Sequence, residues 1–180
     1  MQGFGGLALL WAAGLVGCTG EVDVYLTDRS GVAPGGELEI AELLLPLDRV
    51  DAQRDGEWVA LARGPDPYNL LDFSSESTVV DLVTLREQPA RIAHDEVPVG
   101  PISALRLVLT PGELVALTME DGVIHTLDVP ADADWQVELP MEVVVDAPAS
   151  CTFDLRVRDA TVRGEDGTWS FVPALELVEE

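Results

Sequence analysis

Trp135-Gln136-Val137-Glu138-Leu139-Pro140-Met141-Glu142-Val143-Val144-Val145 is the stretch that decides the fold class. Trp135, Val137, Leu139, Met141, Val143 and Val145 share one parity, while Gln136, Glu138 and Glu142 share the other. Successive side chains of a strand point to opposite faces, so this period of two predicts a half-buried β-strand. The pattern recurs outward in both directions. Val22, Val24 and Leu26 alternate with Asp23, Tyr25 and Thr27, and Leu38 and Ile40 with Glu37 and Glu39. Cys151, Phe153, Leu155 and Val157 alternate with Thr152, Asp154, Arg156 and Arg158, and Trp169, Phe171, Leu175 and Leu177 close the chain. The charged members of these runs are expected on solvated outer faces.

Turn signals separate the runs. Asp55-Gly56 and Asp121-Gly122 are hairpin dipeptides, because a type I′ turn needs positive φ at both central residues. Asp166-Gly167 follows Gly164 and allows a longer loop. Residues 31–36, 64–67 and 147–150 read as loops from their Gly, Pro and small side chains. Thr78 to Arg86 is ambiguous. Thr78 with Asp81 resembles a capping box over a helical face of Val79, Leu82 and Val83, yet the dense β-branching suits a strand equally. About nine short strands with regular turns predict an all-β fold, a single antiparallel β-sandwich over residues 21–180.

The chain carries 33 acidic and 10 basic residues in 180, a formal net charge of −23, and has no Lys. Such a balance excludes nucleic acid as a partner, since that requires a basic footprint. It also repels anionic lipid headgroups. Solubility is the plainest reason for the acidity, ahead of a salty habitat or weak capture of divalent cations. The exclusive use of Arg is read as codon bias.

Leu15-Val16-Gly17-Cys18 ends an uncharged apolar run that begins at Gly3; the first charged residue is Glu21. The run is shorter than the roughly 20 residues a membrane-spanning helix needs, and its length suits the apolar core of an export signal. A buried N-terminal helix or strand is the competing reading. Gly3, Gly5 and Gly6 oppose the helix, each costing about 1 kcal/mol relative to Ala. A small residue followed by Cys is the pattern cut by the bacterial lipoprotein pathway, which lipidates the Cys sulfur. No Lys or Arg precedes Cys18, a departure from the positively charged opening of such signals that an upstream start would mend. The expectation is a signal peptide over 1–17, a lipidated Cys18 with a short tether over 18–20, and a domain standing off the membrane. Thr19, in place of an Asp, points to the outer membrane or cell surface rather than the inner membrane.

Removing residues 1–17 from the 180 leaves 163, enough for one domain with its own core. With Cys18 lipidated, Cys151 has no intramolecular partner and no disulfide framework exists.

The order of short motifs along the mature chain resembles a family of exported lipoproteins, domain of unknown function 4382. Val22-Asp23-Val24-Tyr25-Leu26-Thr27-Asp28 is similar to its opening strand. Asp55-Gly56-Glu57-Trp58, Val80-Asp81-Leu82-Val83-Thr84-Leu85, Val97-Pro98-Val99-Gly100 and Leu105-Arg106-Leu107-Val108-Leu109 follow in order. Val129-Pro130 and Phe171-Val172-Pro173-Ala174-Leu175 complete the series. The chain departs from the family at Ile102, where an aromatic is frequent. The resemblance implies a secreted or surface β-sandwich, transthyretin- or immunoglobulin-like, and supplies no catalytic or binding residue.

Candidate chemistry is sparse. G-x-S-x-G, H-E-x-x-H and S-x-x-K are all absent. Cys151 with His94 or His125 is the one combination that offers a thiol nucleophile and a base. Cys151 keeps parity with Phe153 and Leu155, however, and reads as a small buried hydrophobe. His125 keeps parity with Val123 and Leu127 and reads as an inward or edge histidine, and nothing else points at His94. The chain is therefore expected not to be an enzyme. Asp51 to Ala62 imitates the start of an EF-hand but lacks its bidentate acid. Asp128, Asp132 and Asp134 form the one candidate metal group, a weak calcium site in an acidic loop; otherwise no cofactor is expected. Trp58 has Val59 and Leu61 on its opposite parity, which makes Trp58, with Tyr68, the candidate ligand-binding pair. Trp135 and Trp169 are expected to be buried. These readings converge on a membrane-anchored envelope lipoprotein whose β-sandwich is a binding or structural module. The partners would be the membrane, through Cys18, and an envelope protein or polysaccharide. The alternatives are a carbohydrate-active or hydrolytic accessory with a loop-built site, and a calcium-dependent adhesion module.

Overall fold

Short runs of alternating Val, Leu and Ile with polar residues become strands when two such sheets share their apolar faces. The computed structural model describes residues 18–29, 40–62, 78–86, 88–110, 115–119, 121–127, 129 and 135–178. In chain order the strands are β1 (Thr19–Thr27), β2 (Ile40–Arg54), β3 (Glu57–Leu61), β4 (Thr78–Asp81), β5 (Ala90–Pro98), β6 (Gly100–Leu109) and β7 (Val115–Met119). They continue with β8 (Ile124–Leu127), β9 (Gln136–Val143) and β10 (Ala149–Leu155). After a helical turn, α1 (Val157–Ala160), come β11 (Thr161–Arg163), β12 (Trp169–Phe171) and β13 (Leu175–Leu177).

Two sheets form the sandwich. The smaller has the order β13-β10-β1-β5. The larger runs β8-β7-β2-β6-β9, with β3 and β4 also paired to β2. β11 and β12 form a separate hairpin. Pairing is antiparallel throughout except between β1 and β10, which run parallel in register from Val22↔Ala149 to Thr27↔Asp154. Val22, Val24, Leu26, Ile92, Phe153 and Leu155 of the smaller sheet meet Leu43, Leu45, Val50, Leu105, Leu107 and Leu117 of the larger one in a single core. Each such side chain contributes about 1.5–3 kcal/mol on leaving water.

Asp55-Gly56 is a type I′ turn joining β2 to β3, with φ of 50° and 81°. At Asp121-Gly122 only Gly122 has positive φ, 83°, and Gly122 N–H donates to Met119 C=O at 2.9 Å. This is a longer loop with a glycine bulge, not the expected type I′ turn. The Thr78–Arg86 ambiguity resolves as both readings in series: β4 passes into a 3₁₀ helix over Leu82–Arg86. The cap is Asp81, whose Oδ1 accepts from Val83 N and Leu43 N, both at 3.1 Å.

Several expectations need correction. Residues 147–150 are not a loop, because Val144 bridges Ala147 around a tight turn and β10 begins at Ala149. Val157 belongs to α1 rather than to a strand. Trp135 is half-buried against the core, whereas Trp169 is buried. Most importantly, Asp23 and Asp154 of the alternating runs are buried, not solvated, and Asp28 and Asp51 are buried as well. Asp28 Oδ2 accepts from Arg86 Nε at 2.8 Å, and Asp51 is held by Arg49 and Arg106. Asp154 accepts from Arg29 N at 2.8 Å and pairs with Arg156. A buried carboxylate requires such partners, and the planar Arg fork supplies them better than Lys. Among the described residues, Arg49, Arg86, Arg91, Arg106 and Arg156 thus serve buried carboxylates.

Candidate functional site

Cys18 is exposed at one end of the sandwich, immediately before β1. Its C=O accepts from Val99 N at 3.0 Å, which ties it to the turn between β5 and β6. Thr19 and Gly20 are already in β1, paired with Pro98 and Val97. The tether expected over residues 18–20 is therefore sheet, with no slack between Cys18 and the folded domain. Gly20 is obligatory here. A Cβ on it would lie 2.4 Å from Val144 O and 2.7 Å from Val143 Cγ1, so only glycine lets β1 pass beneath the β9–β10 turn.

One residue further along, the outer face of the smaller sheet gathers Glu21, Asp23 and His94. His94 Nδ1 lies 3.0 Å from Asp23 Oδ1 and 3.4 Å from Glu21 Oε1, and Arg91 Nη1 lies 3.1 Å from the same Asp23 oxygen. The three potential ligand atoms sit within 4.8 Å of one another. One imidazole with two carboxylates suits a transition metal better than calcium, which takes oxygen. The Arg91 charge on Asp23 opposes a cation there. The β1–β5 register that sets Asp23 opposite His94 is what brings the group together. Nothing local in the sequence pairs those two residues.

Trp58 lies half-buried opposite Gln53 on the larger sheet. The Arg106 guanidinium sits 4.4 Å from its ring centroid, so one ring face is already covered by a cation–π contact. Arg106 Nε and Nη2 also donate to Asp51 Oδ2 at 2.9 and 2.7 Å. Beside this cluster a groove of about 490 Å³ is lined by Arg49, Arg106, Leu107, Leu109, Trp135 and Gln136. Trp58 does not line it. Its aromatic wall is Trp135, a residue that parity had assigned to the interior.

Cys151 packs against the core from β10, and burial pushes its thiol up to about 12. The His125 ring lies 5.6 Å from that of Trp169. The structure thus places Cys151, His94 and His125 on β10, β5 and β8, each with separate surroundings. Tyr68, Asp128, Asp132 and Asp134 lie outside the described residues.

A family model described as Domain of unknown function (DUF4382) matches residues 19–173. No curated protein and no solved structure matches the chain.

Proposed function

The chain belongs to the DUF4382 family, a membership that assigns no activity, and we propose that it is a lipid-anchored, non-catalytic binding or structural module of the bacterial cell envelope. The observation that carries this reading is the uncharged run ending in Leu15-Val16-Gly17-Cys18, set directly against an exposed cysteine at the edge of a folded domain. An apolar leader of this length is a removable export signal, and an exposed Cys is open to acyl transfer. Two or more acyl chains hold a domain of this size firmly, at about 0.8 kcal/mol per buried methylene.

The non-catalytic part is supported by the state of the nucleophile and bases. The raised Cys151 thiol stays protonated in the physiological range, where a nucleophile must ionise. His94 pairs with Asp23 on the outer face of the smaller sheet, whereas Cys151 pairs with the buried Val24, so this imidazole and this thiol face opposite ways. The covered ring face of Trp58 weighs against sugar stacking there. The partner, beyond the membrane, is an envelope protein or polysaccharide.

The test is mass spectrometry of the chain expressed with its own leader in a bacterial cell. The expected product begins at Cys18 and carries a diacylglyceryl adduct, and Cys18→Ser abolishes both the adduct and membrane fractionation. An unmodified N-terminus upstream of Cys18 would overturn the proposal.

A further inference from the structure

The end of the sandwich that bears Cys18 differs from the rest of this acidic chain. Residues 97–105 contain no charge, and residues 143–153 contain only Asp146, in a chain of 33 acids. These two segments meet at Cys18. Val99 N donates to the Cys18 carbonyl at 3.0 Å, and Gly100 pairs with Val143 across β6 and β9. Gly20 lies under Val144. Val99, Val144 and Val145 are 40%, 45% and 47% exposed at this end, flanked by exposed Pro98, Ala147 and Pro148. Arg54 reaches over the same turn, donating from Nη1 to Pro98 O and from Nη2 to Val99 O at 3.1 Å.

We propose that this end is a membrane-seating surface, on which Val99, Val144 and Val145 enter the apolar boundary of the bilayer beside the lipidated Cys18. The inference rests on the lipid-anchor reading and adds the orientation of the domain. An anchor with a flexible stalk would let an acidic domain stand off the membrane. Here the residue carrying the acyl chains has its own carbonyl hydrogen-bonded into the sheet, so the first ångströms of protein above the lipid are the two valine turns. The two turns themselves carry a single acid, Asp146, which keeps repulsion low at the valines. Arg54 places a positive charge at headgroup level, beside the exposed acids Asp55 and Glu57 of its own hairpin. β2 then stands away from the bilayer. Its Arg54 end is seated, and its Ile40 end, paired with Met119 of β7, carries the Asp121-Gly122 loop about 45 Å outward.

The test separates this surface from the anchor itself. Unlipidated protein beginning at Cys18 is coupled through that thiol to a maleimide phospholipid in phosphatidylcholine vesicles, which tethers the domain whether or not a cell lipidates it. Val145→Trp, Val99→Trp and, at the opposite end, Ile124→Trp are compared with the parent protein for quenching by brominated phosphatidylcholine. The proposal expects added fluorescence at positions 145 and 99 to be quenched at least threefold more strongly than at 124. Quenching equal at the two ends, or absent at both 145 and 99, would overturn it. Absence of an adduct on Cys18 in cells would instead overturn the anchor reading and leave this measurement intact.

Discussion

Arg106 donates two hydrogen bonds to a single oxygen of Asp51, from Nε at 2.9 Å and Nη2 at 2.7 Å, while its guanidinium plane lies over Trp58. Asp51 is also held by Arg49 Nε at 2.8 Å, so one buried carboxylate organises two arginines and an indole on the outer face of the larger sheet. Removing the carboxylate leaves both cations without their common anion. Asp51→Ala is expected to cost about 2–3 kcal/mol, below the 3–5 of a fully buried pair because the arginine side chains are 42% and 36% exposed. Arg106→Lys is expected to cost about 1 kcal/mol, since an ammonium cannot both fork onto Asp51 and cover the ring. Urea unfolding measures both, and an Asp51→Ala cost under about 0.5 kcal/mol would show the network to be idle.

Gly20 is expected to tolerate no side chain. The atoms that a Cβ would meet are a backbone carbonyl and a core valine, neither of which can swing away. Gly20→Ala should destabilise the domain by about 1–3 kcal/mol through overpacking. Gly167→Ala is the contrasting case, with open space around its Cβ and strain from its φ of 85° alone. Thermal unfolding of the two variants distinguishes collision from backbone strain, and equal, small shifts would argue against the close packing at Gly20.

Asp81 supplies the pH prediction. Burial raises its carboxyl above the ordinary range, with the bonds from Leu43 N and Val83 N pulling the other way. A folded-state value above the unfolded one means that the folded chain binds this proton more tightly. The stabilising contribution is therefore present at low pH and is lost as pH rises through the raised value. Asp81→Asn keeps an oxygen for both N–H donors and has no charge to bury. It should gain stability relative to the parent between about pH 4 and pH 7, whereas Asp81→Ala should lose about 1 kcal/mol at pH 4 as the cap disappears, a deficit that narrows toward pH 7 by the same amount. Denaturant titrations at the two pH values decide it, and a constant difference between Asn and Asp would refute the assignment.

The two cysteines are expected to react very differently. In protein made without lipidation, Cys18 is exposed and should label rapidly with a thiol reagent near pH 8. Cys151, with its thiol pushed up to about 12, should label only on unfolding. Counting modified thiols before and after denaturant tests this directly; two fast equivalents in the native state would contradict the burial of Cys151.

The strand character of this chain was legible from local order, because the period-two alternation of Val22, Val24 and Leu26, or of Val137, Leu139 and Met141, is itself the geometry of a pleated ribbon. The Asp55-Gly56 hairpin was equally local, resting on a backbone conformation that few residue pairs accept. The uncharged apolar run ending at Cys18 was a property of consecutive residues and needed no fold. What lay between distant strands was not written in the order of residues. Parity placed Asp23 and Asp154 on outer faces, and the structure buries them because Arg91 and the Arg29 backbone arrive from elsewhere in the chain to satisfy them. The union of Glu21, Asp23 and His94 depends on the β1–β5 register, and the meeting of Val99, Val144 and Cys18 depends on three chain segments converging at one end. Periodicity fixes which way a side chain points relative to its own backbone; only the packed sheets decide what it finds there, since those partners are chosen by long-range contacts.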